Sequence, residues 1–358
     1  MTGYTEREED AIILSSFTCL SYEAKRRLSE NYEIASPDFK KHESFLIKTL
    51  ADGVYNIVKA NFASRGYREK VFNELDSKGI ECVTYFSDKY PQILKNIYDP
   101  PLTLYCKGDT SLLNGNCFAV VGSRKTPPAA LAMCKKLSGE LTAAFTVVTG
   151  LAEGADSAAI EGALAAGGKV ISVLANGFDT IYPATNLQLF RRVCNSGLAI
   201  TEYPPEVLPK PYRFPVRNRI IAGLSKGTLV VSAGEKSGAL ITADLAADYG
   251  RDVFAFPYSV WEQAGKGCNK LIKNGAYLAE NILDIFGQFG LDCNTQKQIA
   301  LSFDEEQALN AVKQAGEAFL TQIAQKLNKP PYKLISVLSS LEIKGLVVRL
   351  GGNRYAAV

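Results

Sequence analysis

The sequence contains very little histidine: among its 358 residues only His42 is present, in a polar stretch ahead of the strand-rich region. Histidine is the side chain that most often transfers protons near neutral pH, and it is the commonest metal ligand. Histidine-based catalysis and histidine metal sites are therefore excluded from the rest of the chain. We expect a protein that is not an enzyme, with no catalytic residues and no bound metal.

Long apolar runs and paired cysteines are also missing. No run approaches the roughly 18 apolar residues of a membrane-spanning helix, and the acidic start MTGYTEREED is unlike a signal peptide. The eight cysteines include no Cys-x-x-Cys pair, which disfavours a zinc site or a redox motif. These absences predict a cytoplasmic protein that does not bind membranes. Because the net charge is only +3, binding to nucleic acid would require local clusters of basic residues.

From about residue 81 the sequence alternates between short apolar segments and helical patterns. The apolar segments are CFAVVGS, TVVTG, KVISVLA, LAITEY, GTLVVS and DVFAFP, and the predicted helices span 128–144, 157–166, 186–195, 215–224 and 239–249. Strands that are apolar throughout are buried on both faces, as in a parallel sheet. The alternation predicts an α/β fold with a doubly wound, mostly parallel sheet, which binds ligands beyond the carboxyl ends of its strands.

The two ends of the chain follow patterns different from that of this core, which spans 81–290. Residues 1–80 are charged, helical in pattern and without strand signals, so we expect a helical module of the SAM or helix-hairpin-helix kind. A polar linker is predicted near 288–302. Residues 300–358 predict three helices followed by a hairpin, which is the order of a winged-helix module.

Basic residues concentrate around one aromatic residue in the loop before the fourth predicted helix and at the start of that helix. The candidate nucleic-acid contacts in this segment are Lys210, Arg213, Phe214, Arg217, Asn218 and Arg219. Basic side chains beside a ring suit a chain of phosphates and bases. Because Phe214 precedes a proline, we expect it to be extended and to end the loop rather than to enter the helix. Arg217 and Arg219 cannot share one helical face, so we expect at least one of them to serve structure, for example by pairing with a carboxylate.

A glycine turn follows the first strand of the core. Gly122 would let the backbone approach a ligand, Ser123 can donate a hydrogen bond, and Arg124 can hold a phosphate. The alternative is an ordinary strand-to-helix turn with a solvated arginine. The turn lacks the Gly-x-Gly-x-x-Gly pattern, and no acidic residue ends the next strand, so we expect no dinucleotide and no other cofactor.

Further polar residues fall at the same predicted edge. Ser237 and Gly238 open a helix and could hold a phosphate, although a capping serine is nearly as good an interpretation. Asn269 could line the edge or belong to an ordinary turn. Asp156 is predicted to cap a helix, and Glu153 could be a carboxylate base, although no histidine or suitably spaced second carboxylate supports that role.

Together these segments resemble the DNA-processing protein A family (DprA, also called Smf). The resemblance runs in order over residues 90–276, through YPQILKNIYDPPLTLYCKGD, AVVGSRKTP, VVTGLAEGADSAAIEGAL, NGFDTIYPATN, ITEYPP, FPVRNRIIAGLSKGTLVV, SGALITADLA, GRDVFAFP and GCNKLIKNGA. The helical N-terminal module and the winged-helix tail also resemble those that flank the core in many members.

The resemblance implies an extended Rossmann-like fold that binds single-stranded DNA without a nucleotide cofactor. It also implies a homodimer formed through this core, which loads the RecA recombinase onto strands entering the cell during natural transformation. By position, Gly122, Ser123 and Arg124 would form the phosphate pocket, with Phe214 and the basic residues of 210–219 beside it.

The chain departs from the family pattern at three positions. Ile160 stands where a histidine is usual, Ser232 where a glutamate is common, and Tyr258 where a glycine is usual. The loss of the histidine and the glutamate weakens a hydrolytic interpretation and leaves phosphate binding intact.

Two alternative functions stay open from the sequence. One is a nucleotide-processing enzyme of the phosphoribohydrolase type, although SAGEKSGAL lacks the Pro-Gly-Gly-x-Gly-Thr-x-x-Glu loop of such proteins. The other is a regulator that binds duplex DNA through its winged-helix tail, which could equally be a protein-contact module.

Overall fold

The computed structural model describes residues 3–28, 37–51, 53–291 and 301–357. The first part of the chain is helical, as its sequence pattern predicts, except that 29–36 fall outside the described residues. Its helices are α1 (Glu6–Ser16), α2 (Tyr22–Leu28), α3 (Glu43–Thr49), α4 (Val54–Ala63) and α5 (Arg65–Ser77).

A nine-stranded sheet forms the centre of the molecule. Its strands are β1 (Glu81–Thr84), β2 (Thr103–Gly108), β3 (Cys117–Val121), β4 (Thr146–Thr149), β5 (Val170–Val173), β6 (Leu198–Thr201), β7 (Gly227–Val230), β8 (Asp252–Ala255) and β9 (Tyr277–Leu278). They lie in the order β1-β2-β6-β5-β4-β3-β7-β8-β9. β2 is antiparallel to both β1 and β6, and every other neighbouring pair is parallel.

The order of the parallel strands reverses at β3. β4, β5 and β6 follow on one side of β3, and β7, β8 and β9 follow on the other. At such a switch point the connections leave in opposite directions, so a crevice opens between the loops after β3 and β7. This arrangement confirms the predicted mostly parallel, doubly wound sheet and marks the edge at which a ligand is expected.

Eight helices accompany the strands of the core. They are α6 (Gln92–Lys95), α7 (Pro128–Leu141), α8 (Ala155–Ala165), α9 (Leu187–Ser196), α10 (Arg213–Leu224), α11 (Gly238–Asp248), α12 (Lys266–Lys273) and α13 (Ile282–Gln288), with short 3-10 helices at Thr110–Asn114, Ala184–Asn186 and Gln263–Gly265. The five helices predicted for this region correspond to α7 through α11, each within one turn of its predicted ends. Phe118 and Val120 of β3 pack with α7 and α8, whereas Ala119 and Val121 pack with α10 and α11. Both faces of the sheet are therefore covered, as its apolar strands require.

The N-terminal helices pack against the core. Ile12 and Ile13 of α1 are fully buried in the same hydrophobic cluster as Tyr105 and Phe118 of the sheet. Ser15 donates a hydrogen bond from its hydroxyl to that of Thr103 in β2, over 2.9 Å. The helical module and the sheet thus share one apolar core.

Two local predictions are wrong. Phe214 lies inside α10, which begins at Arg213, and does not end the loop in an extended conformation. Pro215 follows in the first helical turn. Backbone N–H groups in that turn have no acceptor within the helix, so a proline there costs no helical hydrogen bond. Asp156 does not cap α8: the cap residue is Gly154, with φ of 79°, and Asp156 is buried within the first turn.

The last part of the chain forms a unit with its own core. Its elements are α14 (Phe303–Ala315), β10 (Glu317–Phe319), α15 (Leu320–Leu327), α16 (Pro331–Ile343), β11 (Val347–Leu350) and β12 (Arg354–Ala357). The three strands form an antiparallel sheet in the order β10-β12-β11. The predicted three helices and hairpin are present, whereas β10 was too short to predict. The winged-helix assignment stays a prediction, and the predicted linker falls mostly outside the described residues.

Glu305 joins two helices of this unit. Its carboxylate accepts hydrogen bonds from the Lys344 ammonium at 2.7 and 2.8 Å and from the Ser340 hydroxyl at 2.6 Å. The hydrogen bonds from Lys344 and Ser340 lower the pKa of Glu305 to about 2. The start of α14 is thereby held against α16.

Within the parts of the chain that the structure describes, no helix has the length and apolar character needed to cross a membrane.

Candidate nucleic-acid interface

The loop after β3 is packed tightly at the switch point. A Cβ added at Gly122 would lie 2.6 Å from the Cβ of Ala155 and 3.2 Å from the backbone nitrogen of Ser232. The Ser123 N–H donates to the carbonyl of Ser232 over 2.8 Å, which ties the β3 loop to the end of β7. Gly122 therefore permits the close approach of three chain segments, and this is what shapes the crevice.

The polar groups of Ser123 stabilise this loop. Its hydroxyl oxygen accepts from the N–H of Lys125 at 3.1 Å, and its carbonyl accepts from the Thr126 hydroxyl at 2.7 Å and from the Ala155 N–H at 3.3 Å. Gly154 backs the loop so closely that a Cβ there would lie 2.5 Å from the Ser123 carbonyl oxygen. The loop is thus held on two sides, and Arg124 projects from its tip.

Arg124 is exposed and stands beside two aromatic rings. Its guanidinium carbon lies 5.4 Å from the ring centre of Phe214 and 6.0 Å from that of Tyr182, within cation–π range. The two rings are 5.5 Å apart and inclined at 63°. Among the described residues no carboxylate forms an ion pair with Arg124. The arrangement offers a cation for a phosphate and aromatic faces for a base.

These side chains line one small open pocket at the carboxyl ends of β3, β4 and β5. The lining residues are Arg124, Leu151, Ala152, Glu153, Leu174, Ala175, Tyr182, Pro183, Phe214 and Arg217. Glu153 accepts a hydrogen bond from the Thr185 hydroxyl at 2.8 Å, which fixes one rim of the pocket. Tyr182 was missed from the sequence, although an aromatic residue before a proline in the loop after a predicted strand was a usable signal.

A buried charged pair lies beneath the pocket. Arg217 donates to the carbonyl of Val173 at the end of β5, and the carboxylate of Asp156 accepts from the Ala152 N–H at 3.3 Å. A Cβ at Gly150 would lie 2.3 Å from Asp156 Oδ2 and 2.8 Å from an Arg217 nitrogen. A side chain at this position would therefore clash with both charged groups, which face each other beside the glycine. Burial lowers the pKa of Arg217 and raises that of Asp156, and each charge opposes the shift of the other. Arg217 thus supplies positive charge at the floor of the pocket.

Arg219 is committed to buried ion pairs. Its guanidinium binds both carboxylate oxygens of Glu202, at 2.8 and 2.6 Å, and Asp99 at 2.7 Å. Burial, the largest single effect, opposes the charge of Arg219, but Glu202, Asp99 and Tyr203 together outweigh it and the net pKa is raised. Arg219 therefore has the structural role that the spacing predicts for one of the two arginines, and it is not exposed at the pocket.

A second cation lies among aromatic rings at the start of α10. The Arg213 guanidinium is 5.0 Å from the ring centre of Tyr203 and 5.6 Å from that of Tyr212, and it donates to the Leu208 carbonyl. Lys210 is exposed on the same loop, and its carbonyl accepts from the Arg213 N–H at 3.0 Å. Lys210 and Arg213 therefore extend the positive surface beyond the Arg124 pocket.

The other predicted residues support neighbouring loops. Ser237 caps α11 by accepting from the Ala239 N–H at 3.4 Å, so the capping alternative is the one observed. Asn218 donates to the carbonyl of Gly238 at 3.3 Å and links α10 to α11. Asn269 binds the backbone N–H and carbonyl of Tyr258, at 3.0 and 2.9 Å, and fixes the loop after β8.

Comparison with known proteins identifies the family. Residues 81–290, which include the whole central sheet and every residue of the pocket, match the family described as DNA recombination-mediator protein A. The chain belongs to this family.

Its similarity to other recombination-mediator proteins extends over most of their length. It is 41% identical over 211 residues to the DNA processing protein DprA of Bacillus subtilis, covering 58% of this chain and 71% of that protein. The X-ray structure of DprA from Streptococcus pneumoniae superimposes with a TM-score of 0.68 at 31% identity, covering 78% of this chain and 97% of that one. A Helicobacter pylori DprA structure, described as showing a unique single-stranded DNA binding mode, gives a TM-score of 0.53 at 30% identity and covers 58% and 95% of the two chains.

Proposed function

We propose that this protein binds single-stranded DNA along the carboxyl edge of its sheet. Arg124 would hold a phosphate, and Phe214 and Tyr182 would contact a base. The observation that carries the proposal is an exposed, unpaired guanidinium beside two rings at the switch point, in the described part of the chain. The single-stranded DNA binding mode reported for the Helicobacter pylori relative supports the same ligand.

A single strand suits this pocket better than a duplex does. Aromatic side chains stack on the faces of bases that are not already stacked on neighbouring bases. Every base has such a face, so the contact tolerates any sequence. In a duplex those faces are covered by adjacent base pairs. We therefore expect binding with little sequence preference and a clear preference for unpaired DNA.

A salt titration tests the assignment of Arg124. Each phosphate contact on a single strand contributes a slope of about −0.7 to the dependence of log K on log salt, so Arg124→Ala should weaken binding and flatten the slope by roughly that amount. Phe214→Ala should weaken binding through lost stacking and leave the slope nearly unchanged. Binding is measured by the fluorescence anisotropy of a labelled oligonucleotide.

The matched control is Arg191→Ala, which removes an exposed arginine on α9, outside the pocket. We expect its affinity and salt slope to equal those of the wild type. Wild-type binding that does not respond to salt, or equal effects of the Arg124 and Arg191 substitutions, would overturn the site assignment.

We further propose that the bound strand is passed to a recombinase. The family description, a DNA recombination mediator, supports a recombinase as the partner, and the resemblance to the DprA family implies RecA as this recombinase and natural transformation as the setting. The proposed active form is a homodimer formed through the core, without catalytic activity of its own. Sedimentation of the pure chain across concentration tests the dimer, and RecA filament assembly on coated single strands tests the transfer.

The C-terminal unit is proposed to be a winged-helix module. Its order of helices and its hairpin support this assignment, and α16 exposes Tyr332 and Ile335 near its start. A comparison of single-strand and duplex affinity for the full chain and for Tyr332→Ala separates a DNA contact from a protein contact. A loss confined to duplex binding would assign duplex DNA to this unit.

A further inference from the structure

The loop between β8 and α12 carries the only tryptophan of the chain. The side chain of Trp261 is 88% exposed, and that of its neighbour Val260 is 74% exposed. Large apolar side chains are mostly buried, and tryptophan is highly buried on average. In the described structure no other aromatic ring or cation stacks on Trp261, so the faces of its indole are open to a ligand.

The loop that carries this ring is firmly anchored. The Tyr258 hydroxyl donates to the carbonyl of Val231 at 2.7 Å, and Asn269 holds both backbone groups of Tyr258. Further along, the carbonyl of Ala264 accepts from the Ser232 hydroxyl at 3.0 Å. Both ends of the loop are therefore fixed to the end of β7. A ring on a fixed base loses less conformational freedom on binding than a ring on a mobile loop does.

Trp261 lies at the same edge of the sheet as the Arg124 pocket. β8 is two strands away from β3, which corresponds to about 10 Å at the usual spacing of neighbouring strands. The loop after β7 lies between them and exposes Lys236, while Lys266 lies at the start of α12. Lys266 pairs with Glu235 at 3.8 Å, so a strand that leaves the pocket across the switch point meets Lys236 as the exposed cation of this loop before it reaches the indole.

We propose that Trp261 is a second base-stacking platform for the same DNA strand, a few nucleotides away from the Arg124 pocket. The inference rests on the proposed single-strand binding and extends the bound length toward β8. On this loop the exposed large apolar side chains are Val260 and Trp261, and the neighbouring loop that lies between them and the Arg124 pocket exposes Lys236, which favours a nucleobase over a protein partner. A protein interface would require a larger contiguous apolar surface.

Because the chain has one tryptophan, its intrinsic fluorescence reports directly on this position. The wild-type protein is titrated with oligonucleotides of roughly 4 and roughly 16 nucleotides, the limits covered by a single-strand-binding fold. Anisotropy of the labelled oligonucleotides is followed in parallel. We expect the longer strand to quench the tryptophan emission, and the shorter strand, held at Arg124, to bind with little quenching.

Variants then measure the contribution of the ring. Trp261→Ala should weaken binding of the longer strand roughly tenfold, the effect of losing one stacked base, and should leave the shorter strand unaffected. Trp261→Phe should recover most of the loss because it keeps an aromatic face. Val260→Ala, which alters the neighbouring exposed side chain, serves as the matched control and should bind like the wild type.

Several outcomes would overturn the inference. If the longer strand binds while the emission and the Trp261→Ala affinity stay unchanged, the platform is refuted and single-strand binding at Arg124 stands. If the emission changes with protein concentration alone, and the Trp261→Ala affinity for DNA is unaltered, the ring belongs to an interface between copies. If neither strand binds, the proposed function fails together with the inference.

Discussion

At the scale of single residues, two arginines that are two positions apart have opposite roles. Arg217 and Arg219 flank Asn218 in α10, and only Arg217 contributes to the pocket lining. Arg219 points toward Glu202 and Asp99 and joins α10 to the segments before β2 and after β6. A cluster of basic residues in a sequence is therefore not equivalent to a basic surface.

The ion pairs of Arg219 make a prediction about stability. Glu202→Gln leaves Arg219, which is only 5% exposed, with Asp99 as its one remaining carboxylate partner. The free energy of unfolding should therefore fall by about 3 kcal/mol. The matched control is Glu235→Gln, since Glu235 pairs with Lys266 at 3.8 Å on the surface, and its loss should cost under about 1 kcal/mol. Urea unfolding measures both changes, and equal stabilities of the two variants would contradict the prediction.

Sequence reasoning found Arg124 and the basic segment but missed part of the pocket. Phe214 lines the pocket beside Arg124, but its predicted extended conformation is wrong, because the preference of a residue before proline is outweighed by the start of a helix. Tyr182 was missed because its partner Phe214 is distant along the chain, and only the fold brings the rings to 5.5 Å. Asp156 was interpreted as a local cap, whereas its buried position opposite Arg217 depends on tertiary packing.

At the scale of elements, the strands and helices of the parallel region were predictable and the short ones were not. β3 to β8 are continuous apolar runs bounded by glycine or polar residues, which is a clear signal. β9 and β10 have two and three residues, too few for any periodicity. The antiparallel β1 and β2 also gave no distinct pattern, because their pairing depends on β6.

The contact between α14 and α16 makes a prediction about pH. Glu305 has a lowered pKa, so its stabilising contribution is present above its ordinary value of 4.5 and is lost as the pH falls toward about 2. Hydrogen exchange in α14 and α16 should therefore accelerate over this window, after correction for the intrinsic rate. In Glu305→Gln these helices should exchange faster at neutral pH and show a smaller change on acidification.

The neighbouring Glu306 provides the control, because it is exposed on the same helical turn. Glu306→Gln should keep the wild-type pH response. If both variants respond to acid as the wild type does, the carboxylate of Glu305 does not hold the two helices together.

At the scale of the whole molecule, the described residues form three hydrophobic clusters, one on each face of the central sheet and one in the C-terminal unit. The N-terminal helices share a hydrophobic cluster with the sheet, whereas residues 301–357 bury a cluster of their own. The sequence predicts an N-terminal helical module because the composition of residues 1–80 differs from that of the core. Composition records which residues are apolar, and it does not record what their apolar faces pack against.

This division predicts independent unfolding of the two parts. Leu338→Ala removes a fully buried side chain from the C-terminal cluster and should destabilise that unit by about 2–5 kcal/mol, leaving the core unchanged. A matched substitution in α1, Ile13→Ala, should destabilise the N-terminal helices and the sheet together. Hydrogen exchange resolved by peptide under mild denaturant measures both, and a uniform response of all peptides to either substitution would contradict two units.

The pairing of β2 with β6 also has a consequence for how the chain is made. Tyr105 of β2 lies opposite Thr201 of β6, so this half of the sheet cannot close until β6 has been synthesised. During vectorial synthesis α1 and the first two strands leave the ribosome long before their partner, with Ile12 and Ile13 still lacking most of their core. Until β6 arrives, one edge of β2 stays unpaired, so the amino-terminal half of the nascent chain depends on residues that are synthesised later to complete its sheet.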